Sequence, residues 1–442
     1  MKMKSTVTFL VFTMFLMGSL YLQTGIIGVN AETRNNNNFQ LQVDQYNATS
    51  SRDFFNESKH PRYPLVTQPF GMIQYPHKAF PTIVKFDEEF RIAIQATKSA
   101  EDWLFTLIDG STSITLEIID SEYRNDQRIF TVISSQNTEG LYDLQMNCSE
   151  GDDYQTHAVN LIEEKKYPYT FVQISDAHFP TYFATGINTT EINLEEIEKI
   201  RQLNPDFVIC TGDLVQGPQL MFLNPETGKP MSMKSQLRLG LWALDLLNVP
   251  VYYIAGNHEF SPSNLVPDDL TEAWHYYLGP LRYQNFDYLD WSFVGFGTDS
   301  PGLYADEKDA IKGILNEVAG KANVLYYHFD FSGDATELIN KYPIEVGIYG
   351  HRHEDTGELR DTSIEIYYGV DTLYHLQGSL YGRYFELFTI NNETSLTLNN
   401  TIHNFILEPY TPEKTRTSAY LVVLSAFFVL SLNIRRKRRK NI

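Results

Sequence analysis

Cysteine is almost missing from this sequence, with 2 thiols, Cys148 and Cys210, in 442 residues. So few thiols leave no disulfide framework and disfavour a structural thiolate metal site. Cys210 lies inside the apolar run DFVICTGD and reads as a buried thiol. Positive charge is scarce too. The chain has 35 Lys and Arg against 55 Asp and Glu, a formal net charge of -20. Such a surface repels nucleic acid and anionic headgroups at long range, so polymeric nucleic acid is not an expected partner. What the chain has in quantity is apolar sequence. At 43% hydrophobic it can bury more than one core, which predicts two soluble domains and further segments at the ends.

Both ends are apolar in ways that point to export. Residues 1–31 carry lysines, an apolar run from Val7 to Leu22 and small residues at the close, the order of a signal peptide. Residues 418–434 hold no charge over a length that just crosses a bilayer, and the basic tail 435–442 begins with six consecutive cations, Arg435 to Lys440. The expectation is one C-terminal transmembrane helix, with the body of the protein outside the cytoplasm at the cell membrane. Without Lys2, Lys4 and the tail cations, that body carries about -28. Six N-x-S/T triplets, at Asn47, Asn56, Asn147, Asn188, Asn392 and Asn399, all fall in it and predict a glycoprotein.

Between the ends the pattern changes twice. Residues 32–59 are polar and asparagine-rich and read as a flexible leader. Residues 60–165 give short alternating runs such as FRIAIQAT, DWLFTLID and GLYDLQMNC, which predict an immunoglobulin- or fibronectin-like β-sandwich for spacing or binding. Its histidines, His77 and His157, are isolated and read as structural. Residues 166–405 alternate strands with helical stretches, an α/β pattern that finishes with strands after Thr362, expected to be antiparallel. Residues 406–417 are a stalk.

The α/β region repeats one arrangement, in which metal-type side chains stand at the ends of apolar strands. Asp176 and His178 end FVQISDAH, Asp213 ends DFVICTGD, Asn257 and His258 end VYYIAGNH, His328 ends NVLYYH, and His351 and His353 end VGIYGHRH. Ligands collect beyond the carboxyl ends of strands in open α/β sheets, so one cluster is the economical reading. Carboxylates with imidazoles suit two divalent ions, Mn, Fe or Zn. A bridging carboxylate lets a pair roughly 3.5 to 4 Å apart share a water and lower its pKa.

In this order and at these strand ends, D-A-H, G-D, G-N-H-E, H and G-H-R-H resemble the five-block signature of calcineurin-like metallophosphoesterases, over about residues 168 to 390. The resemblance implies a four-layer αββα sandwich. It implies that Asp176, His178 and His353 bind one ion and Asn257, His328 and His351 the other, with Asp213 bridging. It assigns His258 to the leaving group as the catalytic side chain. It also implies attack by hydroxide held on the two ions, and the stretch Ala273–Thr298 is similar to the phosphodiesterase-like branch of the family. The purple acid phosphatase branch is disfavoured, because glycine stands there in place of His178 and a tyrosine follows the bridging aspartate. The alternatives are a phosphomonoesterase and an inactive cell-surface binding protein. Trp274, Tyr276, Tyr277 and Tyr283 read as core before substrate pocket, His275 and His375 as structural before site residues. The loop Gly217 to Lys234 is expected to overhang the site. The sequence leaves the oligomeric state open.

Overall fold

A computed structural model describes residues 70–110, 112–124, 127–179, 189–217, 232–260, 270–279, 283–297, 305–329, 337–339, 341–351, 374–377, 385–393 and 395–399. The expected signal peptide, leader, stalk, membrane segment 418–434, basic tail, His353 and most of the loop after Gly217 lie outside the described residues. Among the described residues no helix is long and apolar enough to cross a membrane.

The first part is all β. Its strands are β1 Ile73–Tyr75, β2 Thr82–Lys85, β3 Phe90–Ile94, β4 Leu104–Asp109, β5 Thr112–Thr115, β6 Glu117–Arg124, β7 Gln127–Ile133, β8 Gly140–Cys148 and β9 Gly151–Ile162. They form two sheets, ordered β1-β3-β7-β6 and β2-β9-β8-β4-β5. Alternation of inward and outward side chains supplies one buried cluster from both sheets: Ile92, Ile94, Phe130 and Val132 from the first, Phe105, Leu107, Leu144 and Met146 from the second. The apolar-alternating run SITLEIID is shared by β5 and β6, with Leu116 between them.

The second part begins with β10 Tyr169–Ile174, α1 Thr189–Leu203, β11 Phe207–Cys210, α2 Met233–Asp245 and β12 Val251–Tyr253, followed by the single turn α3 Asn257–Phe260 and α4 Leu270–Leu278. It continues through β13 Tyr283–Tyr288, β14 Trp291–Phe296, α5 Ala305–Glu317, β15 Ala322–Tyr327, β16 Val346–Tyr349, β17 Tyr374–Gln377, β18 Glu386–Asn392 and β19 Ser395–Asn399. Two five-stranded sheets result, β12-β11-β10-β18-β19 and β13-β14-β15-β16-β17. They face each other across an aromatic core in which Phe171, Phe207, Tyr252 and Phe388 meet Trp291, Phe293, Tyr326 and Ile348. Central strands such as FVIC and WSFVGF are buried throughout because both faces are covered, which is why they read as unbroken apolar runs. The outer face of the second sheet packs Val294, Leu325 and Tyr327 on Ile311 and Leu315 of α5. β10, β11 and β12 are parallel neighbours joined through α1 and α2, and because such crossovers are right-handed as a rule, both helices belong on one face of the first sheet. This is the expected αββα layering. The closing strands are antiparallel at β18 and β19, but β17 runs parallel to β16.

The two parts share chain at one strand. Val84 of β2 belongs to the sandwich core, while its neighbour Ile83 belongs to the aromatic core between the two five-stranded sheets. Just before it, Tyr253 N–H donates to the Ala79 carbonyl at 3.0 Å, tying the β1–β2 connection to the edge strand β12.

Candidate metal centre

The strand ends singled out by the sequence meet at one edge of the facing sheets. The turns that carry them are laced by backbone bonds: Asp176 N–H donates to Gly212 O, His178 N–H to Asp213 O, each at 2.9 Å, and Gly350 N–H to His328 O at 3.0 Å. Asp176, His178, Asp213 and His351 all take positive φ, at 51°, 49°, 52° and 81°. That region costs a non-glycine residue about 1–2 kcal/mol and concentrates at functional sites. Glycine appears where two turns press together. A side chain on Gly256 would collide with the Asp213 carboxylate, and one on Gly350 with Ser175 Oγ and the Asp176 carboxylate.

Asp213 is the centre. Its Oδ2 lies 3.2 Å from His328 Nε2, 3.8 Å from His258 Nε2 and 3.9 Å from His178 Nε2. Asn257 Oδ1 stands 3.0 Å from both His328 Nε2 and His351 Nδ1. Asp176 accepts the His351 N–H on both oxygens, at 3.1 and 2.9 Å, and its Oδ1 is 3.7 Å from His178 Nε2. Ligand atoms of Asp213, His328 and His351 lie within 4.8 Å of one another, as do those of His178, Asp213 and His258.

The electrostatics suit cations. Burial by itself would lower the His328 imidazole, but the Asp213 carboxylate outweighs it and holds that ring at about 9. Burial would raise Asp213, and His328 with the neighbouring histidines overrides it and keeps the carboxyl below its usual range. A proton on His328 thus stands where a cation would otherwise satisfy the same acceptors. The donor set is oxygen and imidazole, with Asp176, His178, Asp213 and His328 buried and Asn257 and His351 half-buried, and its chemistry suits divalent ions: Asn257, His328 and His351 would hold one, Asp176 and His178 the other, with Asp213 shared. His328 Nδ1 is 2.8 Å from Thr211 O, so a ring protonated there presents bare Nε2 to a metal. His258 differs from the other site histidines. Its Nδ1 is 2.5 Å from Gln216 O, whereas His328 Nε2 and His351 Nδ1 face Asn257, and its side chain is 15% exposed.

Three positioning residues were not assigned from sequence. Glu259, buried beside the metal ligands, accepts N–H bonds from Gly256 at 2.7 Å, Asp213 at 2.9 Å and Val215 at 3.1 Å, joining the two turns that carry Asp213 and Asn257. Burial and the Asp213 charge push its carboxyl up from the usual range. Gln173 spans three strand ends through Thr211 Oγ1 at 2.6 Å and Tyr349 O at 3.0 Å. Asn193 of α1 donates to Ala177 O, between Asp176 and His178, at 2.6 Å. Glu259 stood in plain view as the fourth letter of G-N-H-E; the other two leave no sequence signal. Of the aromatics, Trp274 and Tyr277 are core, Tyr276 lies under the Lys234 ammonium at 4.5 Å, and Tyr283 is exposed. His275 is on the exposed side of α4, and His375 pairs with Gly347 within the second sheet.

Residues 169–355 match the calcineurin-like phosphoesterase family model, a span that includes all eight side chains of the five blocks. The family match thus covers the α/β region of the chain, residues 169–355, and supports a calcineurin-like phosphoesterase domain there. It is 39% identical over 98 residues to the DNA double-strand break repair protein Mre11 of Methanococcus maripaludis, a match covering 21% of this chain and 24% of that one. The chain thus spans about a quarter of the length of that curated relative. Among solved structures, a dimetal phosphatase from Danio rerio aligns at 10% identity and a TM-score of 0.35, over 52% of this chain and 98% of that one. The sulfate thiohydrolase SoxB of Thermus thermophilus aligns at 13% identity and 0.33, over 54% and 57%.

Proposed function

We propose that this chain is a membrane-anchored, outward-facing metallophosphoesterase that hydrolyses a phosphodiester. The observation that carries the reaction class is the convergence of His178, His258 and His328 on one buried carboxylate, Asp213. Two divalent ions bound there would neutralise the phosphate oxygens and supply a nucleophilic water at neutral pH. The chain's own residues do the rest. Asp176 and Asn257 brace His351 from both sides, Thr211 fixes the His328 tautomer, and the Gln216 carbonyl aims the His258 ring. With Nδ1–H donated to the Gln216 carbonyl, His258 offers a proton at Nε2 only as the doubly protonated imidazolium, and in that form it would give that proton to the departing ester oxygen, so an alcohol leaves instead of an alkoxide.

Anchoring is supported by the uncharged segment 418–434 and the six cations after it. Mre11 is a DNA repair protein by name, so DNA is the competing substrate. The net charge of -20 argues for a small diester instead, because a polyanion is repelled before it reaches the site. The sandwich is of the immunoglobulin kind on this reading, with β1-β3-β7-β6 and β2-β9-β8-β4-β5 in the places of its two sheets. The Tyr142 hydroxyl also donates to Thr138 O, four residues upstream, at 3.1 Å, as in a tyrosine corner.

The test is hydrolysis by the full chain loaded with Mn or Zn, offering bis(p-nitrophenyl) phosphate, p-nitrophenyl phosphate and single-stranded DNA. Diester cleavage lost by roughly 10³-fold in Asp213→Asn is expected. Monoester turnover alone would replace the diester assignment, and DNA cleavage would overturn the small-substrate one.

A further inference from the structure

The sandwich and the catalytic sheets meet at a buried polar cluster that the proposed reaction does not use. Lys78, between β1 and β2 and 6% exposed, pairs its ammonium with Asp245, the last residue of α2. The same Asp245 oxygen lies 3.2 Å from His157 Nδ1, which is 3.3 Å from Lys78 Nζ. His157 comes from β9, where it takes a left-handed φ of 50° opposite an irregularity in β8 at Tyr142–Leu144. Its N–H donates to Asp143 Oδ1 at 2.7 Å, and the Tyr154 hydroxyl donates to the other oxygen of that carboxylate. Lys78 is buried while Asp245 is 15% exposed, so loss of the Asp245 carboxylate would leave a buried lysine without its carboxylate partner.

Helix α2 runs from this cluster to the metal centre. Asp245 ends it. Further toward its start, Gly240 sits so close to Leu214 that a Cβ would overlap that side chain. Near its first turn, Gln236 exchanges two bonds with the Gly217 peptide, Nε2–H to Gly217 O and Gly217 N–H to Oε1, both at 3.2 Å. Leu214 to Gly217 is the segment that follows Asp213, and it carries the Gln216 carbonyl bonded to His258. Gly217 itself abuts His258; a Cβ there would come within 3.1 Å of its carbonyl oxygen. Contacts therefore run unbroken from a sandwich strand to the ring that faces the leaving group.

We propose that the sandwich positions the catalytic turn: Lys78 and Asp245 are positioning residues that act through α2 and Gln236 on Leu214–Gly217, and so on His258. The turnover readout rests on the phosphoesterase reading above, whereas the mechanical coupling has a readout of its own. In the full chain, Lys78→Met and Gln236→Met are each expected to lower kcat by between about two- and thirtyfold, with KM and two Mn ions per chain unchanged. The double variant should lose no more than the worse single one, as for two ends of one lever. Amide exchange at residues 213–217 should speed up in Lys78→Met, though that residue touches none of them. Val132→Ala, which opens a cavity in the sandwich core, is the control for general destabilisation and should leave kcat unchanged. Should Lys78→Met not fold, Asp245→Asn, which keeps an acceptor for the ammonium, takes its place. Wild-type kcat and unchanged exchange at 213–217 in the Lys78 variant would overturn the coupling while leaving the enzyme reading intact. A wild-type chain inactive on every ester with both ions bound would overturn the enzyme reading, and the exchange measurement would still decide the coupling.

Discussion

The two halves of this molecule bury different things. The sandwich is centred on an apolar cluster drawn from both sheets, in which Phe105, Phe130 and Trp103 pack against one another, and its buried polar groups, such as His77, Lys78 and Asp153, are not gathered into one site. The catalytic half has an aromatic core of the same kind between its sheets, but it also buries Asp176, His178, Asp213, Glu259 and His328 at one edge of them. Apolar burial stabilises by area and tolerates redundancy, because each side chain contributes independently. Buried polar groups depend on one another, and each is costly without its partner. The fold of the sandwich is thus distributed over many residues, whereas the candidate metal centre hangs on a few that depend on one another.

That contrast is broken most severely by Phe105→Ala. Phe105 is fully buried, with its ring 4.9 Å from Phe130, and truncating it should cost about 3–5 kcal/mol of stability. Denaturant unfolding should show a lower midpoint, while Mn titration of the still-folded chain shows unchanged affinity at the centre. Weaker ion binding in the folded variant would mean that the halves are not separable in this sense. The converse substitution is Glu259→Gln. It swaps one carboxylate oxygen for an amide that can only donate, against three backbone N–H donors. The expected outcome is a roughly 10–100-fold loss of affinity for the ions. Calorimetry with Mn would measure it, and an affinity equal to that of the native chain would remove Glu259 from the machinery.

How much of this was legible in the sequence follows from the same contrast. Strand runs and helical stretches of the α/β half stood out because parallel strands covered on both faces are continuous in apolar residues, and because each ended in a residue type that a core excludes. Seven of the eight side chains quoted from those ends, Asp176, His178, Asp213, Asn257, His258, His328 and His351, come together at one edge; the eighth, His353, lies outside the described residues. Glu259 was seen and given no task, because nothing in a linear reading shows a carboxylate gathering N–H groups both from its own turn and from one 46 residues before it. Gln173 and Asn193 are invisible for that reason also: they bond to carbonyls, which every residue has. His157 was read as an isolated structural histidine, and its partners Lys78 and Asp245 are 79 residues before it and far beyond it on a helix of the other half. Short polar motifs at strand ends announce a site; the bonds that brace it are long-range and leave no spacing to read.

His77 sharpens the comparison from the sandwich side, with the smallest expected effect. It is fully buried, its Nδ1 accepts the Ala79 N–H at 3.2 Å, and the proton therefore sits on Nε2, which has no partner among the described residues. Burial holds its imidazole down to about 3, against 6.5 for an ordinary histidine. Between those values the unfolded chain takes up a proton that the folded chain refuses, so stability falls as the pH drops through that window. The slope contributed by one such group is at most about 1.4 kcal/mol per pH unit. His77→Asn keeps an acceptor for the Ala79 N–H and removes the titration, so its unfolding free energy should decline less steeply between pH 6 and pH 4, whatever constant penalty the smaller side chain adds. Because the metal centre also titrates with acid, the comparison should be made in a common Asp213→Asn background; equal slopes there with and without the His77→Asn substitution would show that the ring finds water or a partner when protonated.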